Sequence, residues 1–224
     1  ILLATAARPR VLANAAPDGE RILSWEQIYQ LDELPEHLIV VGSGVTGAEF
    51  ASAFHTLGST VTLVSSRDRV LPGEDVDAAG VLEDVFTRRG LNVRSRSRAV
   101  AAYRVDNSVI VTLDDSSTLQ GSHVLTAVSS LPNTDDLGLE TAGVSTDSRG
   151  FITVDRVSRT SARHIYAAGD CTGITCWRPS LPCREQSRCI THWVTRSLRW
   201  SPPRSPARSS PDRKSQRSAY NKQI

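Results

Sequence analysis

The chain lacks methionine altogether, even at its first position, and it opens in mid-strand text, Ile1-Leu-Leu-Ala4. Those features read as a piece of a longer protein. No run of 18 apolar residues and no charged leader followed by an apolar stretch is present, so a membrane span or a secretory signal is not expected. A cytoplasmic protein is the reading that follows. Cysteine is sparse as well. Cys171, Cys176, Cys183 and Cys189 fall in one late stretch whose spacings match neither a zinc site nor a redox C-x-x-C pair. Incidental thiols are expected, no metal site is assigned, and His192 with Cys183 and Cys189 gives no standard ligand spacing.

Lysine is missing from residues 1–176, which carry 15 Arg against 22 Asp and Glu. Residues 177–224 invert that balance, with 9 Arg and 2 Lys against 2 acidic residues. The last 48 residues also hold six of the eleven prolines and nine serines, with no apolar period of either kind. Such text cannot build a core, and a disordered tail over 177–224 is expected.

What is present is concentrated at Leu38-Ile-Val-Val-Gly42-Ser-Gly44-Val-Thr-Gly47-Ala-Glu. Four apolar residues run into G-x-G-x-x-G, and a helical pattern follows to Gly58. Gly42 allows a tight turn out of a strand, Gly44 removes a Cβ that would block a pyrophosphate, and Gly47 lets helix and strand approach. The first amides of the helix, at Val45 and Thr46, face the phosphates with the positive end of its dipole. Thr60–Ser65 reads as the next strand. A helix follows Pro72-Gly-Glu-Asp75 on a stripe of Val76, Ala79, Leu82 or Glu83, and Phe86, and Leu91–Val93 as a third strand. The order implies right-handed crossovers and a parallel sheet. Val100–Val105 and Val109–Leu113 alternate as antiparallel strands. His123–Val128, Gly150–Val154 and His164–Ala168 read as further strands. Residues 11–34 read as a mixed connection, with a capping box at Ser24-Trp-Glu-Gln27 opening a short helix.

Four stretches in order, Ala4-Thr-Ala-Ala-Arg-Pro9, Gly42–Ala51, Ala127-Val-Ser-Ser-Leu-Pro-Asn133 and Tyr166-Ala-Ala-Gly-Asp170, resemble the pyridine nucleotide-disulfide oxidoreductases. The likeness extends to dihydrolipoamide dehydrogenase-like NAD(P)H:quinone reductases. It implies an α/β, three-layer, Rossmann-like protein with FAD- and NAD(P)H-binding parts and an antiparallel β-meander insertion. Residues 1–10 would end the first FAD segment, 11–134 would bind NAD(P)H, and 135–176 would return to the FAD part. The resemblance implies hydride transfer from NAD(P)H to FAD and on to a small-molecule disulfide or quinone, in a parent that is a homodimer. It puts Thr5, Ala6, Gly169 and Asp170 at FAD, Glu49 near the nicotinamide and Ser129 at the nucleotide. An ordinary dipole-favoured first-turn carboxylate is the other reading of Glu49.

At the end of the second strand, Ser65, Ser66, Arg67 and Arg69 stand where an NAD-preferring member presents a carboxylate. They favour NADPH, with NADH the alternative. Ala6 and Ser129 replace glycines of the family pattern. A positive φ at either would cost about 1–2 kcal/mol. The family's first FAD glycines, redox disulfide and acid–base pair are not in this sequence, so the chain is not expected to hold FAD tightly or to turn over alone, and no catalytic residue is assigned. A shifted reading frame through Trp177 and Trp193 gives apolar helical text of the family kind, which makes the tail read as a frameshifted translation. The alternative is an inactive nucleotide-binding module whose basic tail engages a partner or nucleic acid.

Overall fold

The computed structural model describes residues 1–173. The basic tail, Cys176, Cys183, Cys189 and His192 lie outside the described residues, and with them the expectations of disorder, a shifted frame and a partner-binding arm.

Along the chain run β1 (Leu2–Leu3), β2 (Ala7–Pro9), β3 (Ile22–Ser24), β4 (His37–Val41), α1 (Val45–Leu57), β5 (Thr60–Val64), α2 (Val76–Arg88) and β6 (Asn92–Arg94). Then come β7 (Ala99–Val105), β8 (Ser108–Leu113), β9 (Thr118–Gly121), β10 (His123–Thr126), β11 (Ser130–Pro132) and β12 (Tyr166–Ala167).

Strands β3, β10, β4, β5 and β6 form one sheet in that order, parallel at every pairing. Both faces of β4 are covered, which is why Leu38 to Val41 is unbroken apolar sequence instead of an alternation. Leu38 and Val40 pack with Val61, Leu63, Ala48, Ala51 and Phe86 on the helical side. Ile39 and Val41 pack with Val64, Ala102, Val109, Val111 and Leu113 on the other. The antiparallel sheet β7-β8-β9 thus caps the face opposite α1 and α2, giving three layers. Its third strand, β9, was not anticipated, because Thr118-Leu-Gln-Gly121 offers one apolar residue in four.

Helix α1 ends at Gly58 in the left-handed region, φ 112°, where the amides of Gly58 and Ser59 donate to His55 and Phe54 carbonyls. Gly47, Ala48 and Ala51 are its buried residues, and Leu57 is exposed. Small residues win the interior because the helix lies close against the sheet. Asp75 caps α2 by accepting from the amides of Asp77 and Ala78, so Pro72 and Glu74 precede the helix. Ala79 and Phe86 are buried, but Val76, the first residue of α2, is exposed.

Three further expectations are corrected. Residues 11–34 contain β3, a buried edge strand too short to show a period. The Ser24 and Gln27 side chains do make the reciprocal capping pair, at 2.9 and 3.3 Å, yet it opens only a 3₁₀ turn, Gln27–Gln30. Gly150–Val154 makes a single bridge, Thr146 to Ile152, and no strand.

The remaining residues build a smaller core from Leu139, Val144, Ile152, Ile165, Ala167 and Cys171, under the parallel pair β1–β12. An antiparallel ribbon, β2–β11, accompanies both crossings of the chain between this core and the large sheet.

Candidate functional site

Strand β4 lies between β5, to which α1 carries the chain, and β10, which returns much later. A crevice at the carboxyl ends of strands, where the order reverses, is where open α/β sheets bind ligands. Gly42 leaves β4 with φ 110°, and a Cβ there would stand 2.3 Å from the Ala127 carbonyl oxygen. A Cβ on Gly47 would lie 1.8 Å from the Gly42 oxygen. Packing alone therefore demands both glycines. Gly44 differs: its φ is −67°, and a Cβ would meet no protein atom within 4 Å. Nothing among the described residues requires a glycine there, so the open space above Gly44 is a cradle that a side chain would fill. Ala48 N–H opens the helical ladder by donating to Gly44, which leaves the amides of Val45, Thr46 and Gly47 ahead of it.

A cleft of about 300 Å³ runs over these strand ends, floored by Val41, Gly42, Val64 and Val128. Its polar lining is Ser66, Ser97, Ser129, Arg10 and Arg98, with no carboxylate. Of the residues picked out from sequence, Gly42, Ser66 and Ser129 reach it. Arg10, Ser97 and Arg98 were missed. The alternation Arg94-Ser-Arg96-Ser-Arg98, directly after the third strand, was the available signal.

Ser65 is fully buried, and its hydroxyl accepts from Ser43 Oγ (2.6 Å) and from the Arg67 amide, while donating to the Arg69 carbonyl. That hydroxyl braces the loop. Ser66 and Arg67 are exposed. Arg69 is half-buried and ion-paired with Asp68 at 3.4 Å, outside the cleft lining.

Glu49 is the fifth residue of α1, one turn past the free amides, so it is no first-turn carboxylate. It is open to solvent on one side, and partial desolvation still raises its pKa. The Tyr29 phenol, whose ring lies 5.5 Å from that of Phe50, is raised by burial and by the Glu49 charge. Exposed Ser129 has φ 148° and accepts from Arg10 Nε at 3.0 Å.

A second strand-end site follows β1 and β12. Leu3 pairs with Ala167, and past that pair Thr5 and Ala6 emerge on one strand, Gly169 and Asp170 on the other. Asn133 ties the first of them down: its side-chain amide donates to the Thr5 carbonyl and its backbone amide to that of Ala6. Ala6 is left-handed at φ 59°, Gly169 has φ 81°, and Asp170 is exposed. The Thr5 hydroxyl is buried with no partner among the described residues. Two strand-end sites, one with an open glycine cradle and one with an orphaned hydroxyl, fit two dinucleotides. Among the described residues no cluster of His, Cys, Asp and Glu could hold a metal, and no helix is long and apolar enough to cross a membrane.

The family model for pyridine nucleotide-disulphide oxidoreductases matches residues 1–195. The chain belongs to that family. An NAD(P)H dehydrogenase (quinone) of Mycobacterium tuberculosis is 56% identical over 174 residues, covering 78% of this chain and 35% of the relative. A dihydrolipoyl dehydrogenase of Chlamydia pneumoniae is 38% identical over 173 residues, 77% of this chain and 37% of the relative. The crystal structure of LpdA from M. tuberculosis superposes with a TM-score of 0.74 at 49% identity, over 92% of this chain and 44% of that one. The chain thus spans about a third of the length of the curated relatives it matches. Such flavoproteins carry two dinucleotide-binding parts, and the two strand-end sites accord with that plan.

Proposed function

We propose that this chain is the NAD(P)H-binding part, with adjoining strands of the FAD part, of a flavoprotein oxidoreductase that delivers electrons to a quinone or disulfide acceptor. In this reading residues 11–134 bind the pyridine nucleotide, while 1–10 and 135–176 belong to the flavin side. The whole protein is a cytoplasmic homodimer. The observation that carries the reading is Gly44, a glycine at a helix N-terminus with neither a backbone nor a packing reason to be one.

The bound cofactors supply hydride transfer and onward electron transfer; the chain supplies position and field. The amides of Val45 and Thr46 donate to pyrophosphate oxygens over Gly44, aided by the dipole of α1. Ser66 faces the adenosine ribose, with Arg67 and Arg69 on the loop outside the cleft lining and Ser65 as the internal brace. Glu49 stands toward the nicotinamide, and the Ser129 backbone follows the same nucleotide at the end of β10. On the flavin side, Thr5 and Ala6 line the nucleotide and Gly169 gives close approach. The Asp170 carboxylate accepts from ribityl hydroxyls.

Gly44→Val tests this directly. Since no described atom stands near that Cβ, the variant keeps its circular dichroism, with a thermal midpoint lowered only by the poorer N-cap that valine makes. Calorimetry with NADPH and NADH is expected to show binding to the native chain and at least tenfold weaker binding to the variant, the loss of one or more charged hydrogen bonds. Equal affinity in the two proteins would refute the cradle.

A further inference from the structure

We infer that Arg98, on the loop after β6, is the residue that selects for the 2′-phosphate of NADPH, with the Ser66 hydroxyl beside it. The inference rests on the dinucleotide reading above and moves the selectivity away from the arginines of the β5 loop. Two loops meet at the adenosine end of the cleft, and three backbone hydrogen bonds prolong the β5–β6 pairing through them. Ser65 N–H donates to Arg94 O at 2.8 Å, Arg96 N–H to Arg67 O at 2.7 Å, and Ser97 N–H to Ser65 O at 2.8 Å. That lacing sets Arg98 into the same wall as Ser66.

The main chain of Arg98 is held on its far side too. Its amide donates to Asp114 Oδ1 at 3.1 Å, and the Asp114 amide donates back to its carbonyl at 2.9 Å. Its side chain is exposed and forms no ion pair among the described residues, whereas Arg69 is already paired with Asp68. Arg98 lines the cleft; Arg67 and Arg69 do not. The Arg98 guanidinium and the Ser66 hydroxyl, with Ser97 donating its own proton to the Ser95 carbonyl, Arg10 held on Ser129 and no carboxylate in the lining, make a site for a phosphate monoester, which a guanidinium binds through two parallel N–H donors. A ribose with a free 2′-hydroxyl presents no charge to it.

Isothermal titration of the full 224-residue chain with NADPH and with NADH tests this, using R98Q and, as a control for general positive field, R94Q. We expect R98Q to weaken NADPH binding about tenfold or more, the scale of a lost charged hydrogen bond, while NADH binding stays as it was. R94Q leaves the NADPH/NADH ratio unchanged, and added salt narrows that ratio in the native chain but not in R98Q. Retained NADH binding shows that R98Q is folded. An unchanged ratio in R98Q, or equal losses of both nucleotides, overturns the role of Arg98 and leaves dinucleotide binding standing. A native chain that binds neither nucleotide overturns both.

Discussion

Two single residues carry a cost that the family pattern avoids. Ala6 at φ 59° and Ser129 at φ 148° occupy backbone that glycine adopts freely and other L-residues resist. Each immediately precedes a strand of the β2–β11 ribbon, so the strain sits where the chain passes between its two cores. Ala6→Gly is expected to stabilise the fold by about 1 kcal/mol, read as a higher denaturant midpoint at unchanged slope. Ser129→Gly gains less, because Arg10 loses its acceptor there. A fall in the midpoint for Ala6→Gly would mean that the left-handed angle costs nothing. The sequence could state only the condition, since a positive φ is set by the Asn133 bonds to Thr5 and Ala6, made across more than a hundred residues. Ser65 hides for a related reason. A serine at a strand end looks alike whether its hydroxyl faces solvent or, as here, a neighbouring serine at 2.6 Å.

The helices and long strands were legible because each holds one strong local signal. An apolar run followed by glycines gives β4 and α1, and Gly58 gives the end of α1. Where an element is short and held by distant partners, as in β3 and β11, the sequence has nothing periodic to show. The cleft divides in the same way. Its glycine edge stands in a motif, while Arg10 and Arg98 reach it only through pairings that the fold creates. Helix α2 offers a clean test of element-scale energetics. Gly80 is exposed in mid-helix, and an added Cβ would meet nothing within 4 Å. Gly80→Ala should therefore raise stability by about 1 kcal/mol. Asp75→Ala removes the acceptor for two amides and should lower it by about 1 kcal/mol. Thermal unfolding of the pair reads both, and equal midpoints for the two variants would contradict this account of α2.

At the scale of the molecule, the end of the sheet away from the cleft controls the response to acid. His37 shares a hydrogen bond with Thr62 Oγ1 at 2.9 Å, and the ring of His123 with Ser122 Oγ at 3.0 Å. Burial holds both imidazoles below the ordinary 6.5. Glu36 opposes the shift at His37; at His123, Arg21 adds to it and Asp18 opposes it. The unfolded chain therefore takes up protons first as pH falls. Stability should be level above about pH 7 and decline as pH drops through the histidine range, with unfolding monitored by circular dichroism. His123→Gln should flatten part of that decline, and an unaltered slope would remove His123 from the account. Asp18, Asp147 and Asp155, held low by backbone amides, add a further loss only in stronger acid.

The β2–β11 ribbon has one more consequence. Arg10 N–H donates to the Ser129 carbonyl at 3.0 Å, so everything between those residues departs from and comes back to a single point. Segment 11–128 is accordingly a cassette: a short bridge joining 10 to 129 would excise it cleanly. The liberated piece could be closed into a ring by linking its own neighbouring ends. It could equally be transplanted into another host at any surface turn of matching width.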